Sequence, residues 1–353
     1  MSCEANVQNC CVGIIANPVS ARDIRRIVTN ASNLQTSERV SIVLRLLSTL
    51  RTLGVPRVLM MPDNSGLAGM LIRAMGRQQS AECRFPAVEF IDMPVTSTVT
   101  DTFLAARAMQ TRGVRAIIVL GGDGTHRAVV RELHDGVRRG LPKIPIAGIS
   151  TGTNNAFPEM REPTVTALAV GAYAVGRLND RQALRRNKLL EVQISTERRD
   201  IAIVDAVVAT ERFVGAKALW QPQSIKVAYL TFAEPWAIGL SAIGGLLHPV
   251  GRTDAGGLMV YLGQNEQECR VHLQAPIAPG LVSVFGIARW ATMTRDINYP
   301  VAADAGVIAL DGEREMIFDR EDEVQVTLRE GAFLTVDVER VMSTAARHGL
   351  FVH

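Results

Sequence analysis

The segment best suited to chemistry is a glycine-rich stretch that follows an apolar run. Residues 117–126 read IIVLGGDGTH, so a predicted buried strand leads directly into two glycines, Asp123, a third glycine and Thr125. A strand that turns through glycines into a helix presents free backbone N–H groups beside the positive end of the helix dipole, which is an anion site. Because a carboxylate repels phosphates, one beside them is expected to serve as a metal ligand or as a base. The stretch therefore predicts phosphoryl transfer, with Asp123 as the base for an acceptor hydroxyl.

The alternative for Asp123 is a plain turn acid at a helix start, because Asp-Gly pairs are frequent in turns. Other common motifs are absent: the chain has no GxxxxGK[ST], no GxGxxG after a strand and no HExxH. The position between an apolar strand and a helix favours the functional interpretation. His126 follows the motif directly and is expected on the helix surface rather than in catalysis.

Strand-like and helix-like segments alternate through the first half of the chain. The predicted strands there are Val12–Ala16, Val55–Met61, Val88–Ile91, Ala116–Leu120 and Ile144–Ile149. Alternation of this kind predicts a parallel sheet with helices on both faces. Ligands of such sheets bind outside the carboxyl ends of the strands, which is where the glycine stretch falls.

After about Pro158 one predicted helix, Val165–Arg177, gives way to short strands separated by turns, a pattern typical of an antiparallel β domain. The predicted strands are Lys188–Ile194, Ile201–Ala209, Ser224–Leu230, Leu258–Tyr261, Val307–Leu310, Glu323–Leu328 and Phe333–Val336. Val338–His348 reads as a helix that returns to the first domain. The predicted fold class is α/β plus β, with a nucleotide-binding domain at 1–157, a β-rich acceptor domain at 158–336 and the returning helix at 337–353.

Composition excludes several classes of function. A net charge of +3 and an aromatic share of 5% argue against a nucleic-acid surface. The five cysteines form no CxxC pair, which suggests a reducing compartment. No secretory signal and no apolar stretch long enough to span a bilayer are evident, so we expect a cytoplasmic protein without a membrane span.

Several stretches together resemble a known superfamily. GGDGT in its setting resembles the signature of the superfamily that contains NAD kinases, diacylglycerol and sphingosine kinases, and phosphofructokinases. The other matching stretches follow in that superfamily's order: NPVSARD at 17–23, STGTNNAF at 150–157, IGLSAIGGLLHP at 238–249 and LDGE at 310–313. Within the superfamily, the chain most resembles the acetoin catabolism protein X family, which is NAD-kinase-like.

The resemblance implies a Rossmann-like first domain and a β-rich second domain, with ATP, Mg²⁺ and the acceptor in the cleft between them. It also implies a homo-oligomer. Asp123 would take the proton from the acceptor, which in NAD kinases is the 2′-hydroxyl of the adenosine ribose. No residue is assigned directly to the metal. The residues implied on the phosphate side are Asn17, Gly121, Gly122, Gly124, Thr125, Thr153 and Asn154, and those on the acceptor side are Asn155, Asp205, Ser241 and Asp311.

The acceptor side departs from the NAD kinase pattern. Val204-Asp205 replaces an Asn-Glu pair, and YLTFAEPWAIG stands where NAD kinases carry TPTGSTAY. The acceptor is therefore NAD, NADH or another hydroxyl compound, such as a small metabolite or a lipid head group, and a nucleotide-binding regulator without chemistry is the alternative. Asp205 is either paired structurally or faces the cleft, and Asp311 reads first as a turn residue. The tryptophans at 220, 236 and 290 are expected to pack in the core.

Overall fold

The computed structural model describes residues 10–17, 34–78, 84–152, 155–209, 224–312 and 314–352. Within these ranges the helices, in chain order, are α1 (Thr36–Thr52), α2 (Leu67–Gln78), α3 (Val99–Thr111), α4 (Asp123–Arg138), α5 (Pro163–Ala174), α6 (Asp180–Ala183), α7 (Leu240–Leu247) and α8 (Val338–Arg347). None of these helices is both long and apolar enough to cross a membrane.

The first sheet is built around five parallel strands. Its members are β1 (Cys11–Ala16), β2 (Arg57–Met60), β3 (Ala87–Phe90), β4 (Ala116–Gly121), β5 (Ile146–Ser150), β6 (Leu184–Ile194), β7 (Arg198–Ala202), β13 (Asn298–Pro300) and β16 (Val324–Val336). The order is β3-β2-β1-β4-β5-β16-β6-β7, with β13 paired to β16. Every residue of β1 and β4 is buried. This burial explains why both strands are continuous apolar runs, since a parallel sheet is covered on both faces.

Helices cover both faces of the parallel strands. One core contains side chains from α1, α2, α5 and α8 together with Val12 and Ile14 of β1. The other contains side chains from α3 and α4 together with Ile117 and Val119 of β4. Val338 and Val341 of α8 belong to the first of these cores. The division at 157 and 336 stays a prediction, and β6, β7 and β16 extend the first sheet from within the segment 158–336.

The second sheet is antiparallel throughout. Its strands are β8 (Asp205–Ala209), β9 (Ile225–Leu230), β10 (Gly257–Leu262), β11 (Val271–Ala278), β12 (Leu281–Met293), β14 (Gly306–Leu310) and β15 (Arg314–Phe318), in the order β11-β12-β10-β9-β8-β14-β15. Leu240 and Ile243 of α7 pack into the core beneath it. The predicted fold class, a parallel α/β part followed by a mainly antiparallel β part, is confirmed.

Several details of the second half differ from the prediction, among them four unpredicted elements, α6, α7, β13 and β15. The single strand predicted at Ile201–Ala209 is divided, because β7 pairs in the first sheet and β8 in the second. The two strands predicted at Glu323–Leu328 and Phe333–Val336 form one strand, β16, with a register shift between Arg329 and Phe333. The hairpin of β11 and β12 was not predicted at all.

Candidate active site

The strand order defines where a ligand site is expected. Order β3-β2-β1-β4-β5 reverses direction between β1 and β4, and open α/β sheets bind ligands at that switch point, beyond the carboxyl ends of the strands. Asn17 follows β1, Gly122 follows β4, and the loop that begins at Thr151 follows β5. The three stretches singled out in the sequence therefore meet at one edge of the sheet.

The glycine stretch makes a close turn from β4 into α4. Gly122 is the residue before the helix, with φ −91° and ψ −172°. A Cβ atom at Gly121 would lie 2.5 Å from the Thr125 side chain, and one at Gly122 would lie 2.7 Å from Oδ1 of Asn155. Both glycines therefore make room for neighbouring side chains, Thr125 of α4 and Asn155 of the loop after β5. The N–H groups of the first helical turn have no partner within the helix and remain the anion-binding feature.

Asp123 is bound to the loop after β5. Its Oδ1 accepts the backbone N–H of Phe157 at 2.8 Å, and its Oδ2 accepts that of Ala156 at 2.9 Å. Its own N–H donates to Oδ1 of Asn155 at 3.3 Å. A carboxylate at the first position of a helix is also stabilised by the helix dipole. Asp123 thus binds the loop to the start of α4 through both its carboxylate and its backbone.

Hydrogen bonds connect the other phosphate-side residues. Asn17 Nδ2 is 3.4 Å from Oγ1 of Thr125. Asn155 Nδ2 donates to Oγ of Ser150 at 2.7 Å and to the carbonyl of Gly152 at 3.1 Å. Asn155, implied on the acceptor side, therefore lies against the backbone of Asp123. Thr153, Asn154 and residues 18–23 lie outside the described part of the chain.

The side chain of Asp311 binds the backbone between β7 and β8. Its carboxylate accepts the N–H groups of Ile203, Val204 and Asp205 at distances from 2.8 to 3.1 Å. Its backbone has a positive φ of 50°, as expected in a tight Asp-Gly turn. Burial, with a smaller contribution from the charge of Asp123, raises the pKa of Asp311 to about 7, although Arg127 and the bonded N–H groups act in the opposite direction. The turn predicted for Asp311 is present, and its side chain points to the backbone of Ile203, Val204 and Asp205.

The raised pKa of Asp311 predicts a pH-dependent stability. Because the carboxyl has a pKa of 3.8 when unperturbed and about 7 in the folded protein, the folded state binds the extra proton between these values. Its contribution to the free energy of unfolding is full below about pH 4 and is lost as pH rises through about 7. We expect Asp311→Asn, which cannot titrate, to gain stability relative to the parent protein between about pH 5 and pH 8. Urea unfolding across that range checks this, and a pH-independent difference would contradict it.

Two sequence expectations near the site need correction. Ser241 is buried, and its Oγ donates to the Phe232 carbonyl at 3.0 Å, so the structure does not bring this hydroxyl to the cleft. His126 is not on the helix surface but fully buried, with Nδ1 2.8 Å from the Gly122 carbonyl. Burial lowers the pKa of His126 to about 4, so the ring is neutral at physiological pH and supports the packing of Phe157, 5.9 Å away.

Arg252 is a site residue that the sequence did not indicate. Its Nη1 donates to the Phe157 carbonyl at 2.8 Å and its Nη2 to the Ala156 carbonyl at 2.5 Å. Its Nε donates to the Glu234 carboxylate at 3.2 and 3.3 Å, and the guanidinium lies 4.3 Å from the centre of the Phe232 ring. Arg252 therefore binds the carbonyls of the same two residues whose N–H groups bind Asp123. We call this arrangement of Arg252, Ala156, Phe157 and Asp123 the arginine clamp.

Lys188 holds the loop from which Arg252 extends. It lies on β6, and its Nζ donates to the carbonyls of Gly251 at 3.0 Å, Asp254 at 3.0 Å and Gly256 at 2.8 Å. Burial lowers the pKa of Lys188 to about 8. The three carbonyls satisfy the hydrogen-bonding demand of a buried ammonium group.

A cavity of ≈ 650 Å³ opens beside the arginine clamp. Ser150, Gly152 and Asn155 line one side of it, and Trp236 and Arg252 line another. The expectation that Trp236 packs in the core is wrong, because 81% of the residue is exposed. Trp290 is also partly exposed, and Trp220 lies outside the described residues.

Comparisons with known proteins agree with this architecture. The ATP-NAD kinase N-terminal domain matches residues 12–177, and the acetoin catabolism protein X C-terminal domain matches residues 188–331. The chain is 53% identical over 343 residues to acetoin catabolism protein X of Cupriavidus necator, covering 96% of this chain and 93% of that protein. The crystal structure of yeast NADH kinase complexed with NADH is similar in fold, with a TM-score of 0.50 at 11% identity, over 98% of this chain and 88% of that one.

Proposed function

The chain belongs to the acetoin catabolism protein X family, and from this premise we propose that it is a kinase that transfers the γ-phosphoryl group of ATP to the 2′-hydroxyl of NAD or NADH. The observation that carries the proposal is the meeting of three loops at the switch point of the first sheet. Asn17 follows β1, Asp123 begins α4 after β4, and Asn155 follows β5 and bonds the Asp123 backbone. One carboxylate at a helix start is thereby combined with the N–H groups that a phosphate chain requires.

In this reaction Asp123 accepts the proton of the acceptor hydroxyl. The hydroxyl oxygen forms a bond to the γ-phosphorus, the bond from that phosphorus to the β,γ-bridging oxygen breaks, and ADP leaves with the electron pair. A carboxylate offers about four acceptor positions. The bonds from Ala156 and Phe157 use one position on each oxygen, so they do not by themselves exclude a hydroxyl donor. They also fix the orientation of the carboxylate.

The phosphate charges need neutralisation, which a divalent cation such as Mg²⁺ supplies when it is bound to the nucleotide. Among the described residues, no group of three or more His, Cys, Asp or Glu side chains could hold a metal ion. Asp123 is the carboxylate that we place next to this ion. The first turn of α4 contributes backbone N–H groups to the same phosphates.

ADP release from Mg²⁺-ATP tests the proposal, with NAD, NADH, acetoin and diacylglycerol as parallel acceptors. We expect ADP and a phosphorylated dinucleotide in equal amounts with NAD or NADH. ADP release with acetoin or diacylglycerol alone would keep the kinase and change its acceptor. No ADP with any of the four would contradict the proposal.

A second candidate is a nucleotide-binding regulator without chemistry. The observation in its favour is that Asp123 already has a structural task, because its carboxylate fastens the backbone of Ala156 and Phe157. Such a task is a sufficient reason for a carboxylate at this position. ATP binding in the absence of ADP formation with every acceptor would support this candidate.

A further inference from the structure

A flat aromatic side chain lies uncovered at the mouth of the cavity beside the arginine clamp. Trp236 is 81% exposed and Met160 is 72% exposed, and both line this cavity. Ligand cavities of this size combine apolar surfaces with a few polar groups, and large uncovered apolar side chains within them mark binding surfaces. The cavity volume of ≈ 650 Å³ lies within the range of small-molecule sites.

The backbone beneath Trp236 is fixed. Ala237 N–H donates to the Glu234 carbonyl at 3.0 Å, which closes a four-residue turn with Pro235 in its second position, the position where a locked φ suits a turn. Glu234 is bonded to Arg252, and a Cβ atom at Gly245 of α7 would lie 2.4 Å from the Glu234 carbonyl carbon. The turn is therefore anchored by the arginine and by the helix, while the indole it carries is left free. An ordered surface of this kind binds a flat ring with little further loss of conformational entropy.

The charges around the cavity favour an uncharged part of a ligand. The ionisable residues in its lining are Glu159, Arg185, Glu234, Arg252 and Glu339, three acids and two arginines. Arg252 and Glu234 are already paired with each other. A phosphate would gain little there. Asn155 of the same lining accepts the N–H of Asp123, so the cavity adjoins the start of α4, and a helix start suits phosphate. One nucleotide can therefore place its phosphates at α4 and its ring at Trp236.

We propose that Trp236 is the stacking platform for a heteroaromatic ring of a bound nucleotide. The ring is either the adenine of ATP or a ring of the dinucleotide acceptor. The inference rests on the proposed function for the identity of these nucleotides, but it concerns binding and not transfer. It places a specificity-determining residue in YLTFAEPWAIG, the stretch that stands where NAD kinases carry TPTGSTAY.

Calorimetric titration of the whole protein with ATP, NAD and inorganic tripolyphosphate tests this inference. The variants are Trp236→Ala, Trp236→Phe and, as a matched control outside the cavity lining, Trp290→Ala. Stacking of a base on an aromatic side chain corresponds to roughly a tenfold change in Kd or more. We expect Trp236→Ala to raise the Kd of at least one nucleotide roughly tenfold, Trp236→Phe to raise it less, and Trp290→Ala to leave it unchanged. Tripolyphosphate, which has no ring, should bind all four proteins equally.

The nucleotide whose affinity falls identifies the source of the ring. If Trp236→Ala loses affinity for ATP alone, the stacked ring is the adenine of the donor. If it loses affinity for NAD alone, the ring belongs to the acceptor. Tryptophan fluorescence should be quenched by that nucleotide in the parent protein and in Trp290→Ala, but not in Trp236→Ala. Equal affinities of parent and Trp236→Ala for both nucleotides, a matching loss for tripolyphosphate, or no binding of either nucleotide would each overturn the inference. Ring-dependent binding without ADP formation would contradict the kinase and leave the platform standing.

Discussion

Replacing Asp123 with asparagine should lower kcat by about 10²–10⁴-fold, because a positioned general base contributes roughly that much to rate. The Kd of ATP should stay within a few fold of the parent value, since the first-turn N–H groups of α4 remain. The asparagine oxygen can still accept one of the N–H groups of Ala156 and Phe157, but its NH₂ group then faces the other. We therefore also expect the free energy of unfolding to fall by about 1–3 kcal/mol. ADP release and ATP titration on the same preparation check these expectations.

A second variant separates the two tasks of Asp123. Asn155→Ala removes the side chain that bonds the Asp123 N–H and the Ser150 hydroxyl, but it leaves the carboxylate in place. It should loosen the loop as much as Asp123→Asn does while losing less turnover. If Asp123→Asn keeps near-normal kcat, or if both variants lose turnover equally, the carboxylate holds the loop and is not the base.

Replacing Arg252 with glutamine should destabilise the protein by about 3 kcal/mol, because the change leaves a mostly buried carboxylate without its partner. Glu234 and Arg252 have side chains only 11% and 16% exposed. The carbonyls of Ala156 and Phe157 lose their donors at the same time. Since these residues direct the Asp123 carboxylate, kcat should also fall, and KM for ATP should change less. Urea unfolding and steady-state kinetics measure the two effects.

The double variant Arg252→Gln/Glu234→Gln distinguishes stability from positioning. Because the double variant has no unpaired carboxylate, it should be more stable than Arg252→Gln alone. A double-mutant cycle measures this difference in the free energy of unfolding. Turnover should not return, because the loop carbonyls still lack the guanidinium. Recovery of both quantities together would mean that the arginine clamp stabilises the fold and has no part in directing Asp123.

The parallel half of the fold could be predicted from the sequence because its signals are local. Continuous apolar runs mark β1 and β4, and the glycines that follow β4 mark the start of α4 within two residues. The position of Asp123 beyond the carboxyl end of β4 follows from the same runs, whereas the switch point depends on the strand order, which the runs do not give. The expectation for His126 failed because α4 is covered by the loop that carries Phe157 as well as by the sheet, so an additional face of the helix is buried.

The remaining features depend on contacts between distant parts of the chain. Arg252 bonds carbonyls 95 and 96 residues earlier, and no local pattern marks a side chain that binds backbone. The division of Ile201–Ala209 into β7 and β8 coincides with the carboxylate of Asp311, more than 100 residues later, which takes the N–H groups of Ile203 and Val204. Propensity alone favours one continuous strand there. Trp236 was predicted to lie in the core because of its residue type. Residue type does not reveal that its turn is held in place by Arg252 and α7, with the indole exposed.

The return of β16 to the first sheet has a consequence for synthesis on the ribosome. β5 pairs with β4 on one side, and on the other β16 reaches it only where Thr335 meets Ile146. A nascent chain that has completed β1 to β5 therefore carries an open strand edge, and the apolar face under α8 is uncovered as well. Open edges template aggregation, so this interval is the vulnerable stage of biogenesis. A stop codon before Val324 would damage the first sheet, although every residue of β1 to β5 had been translated.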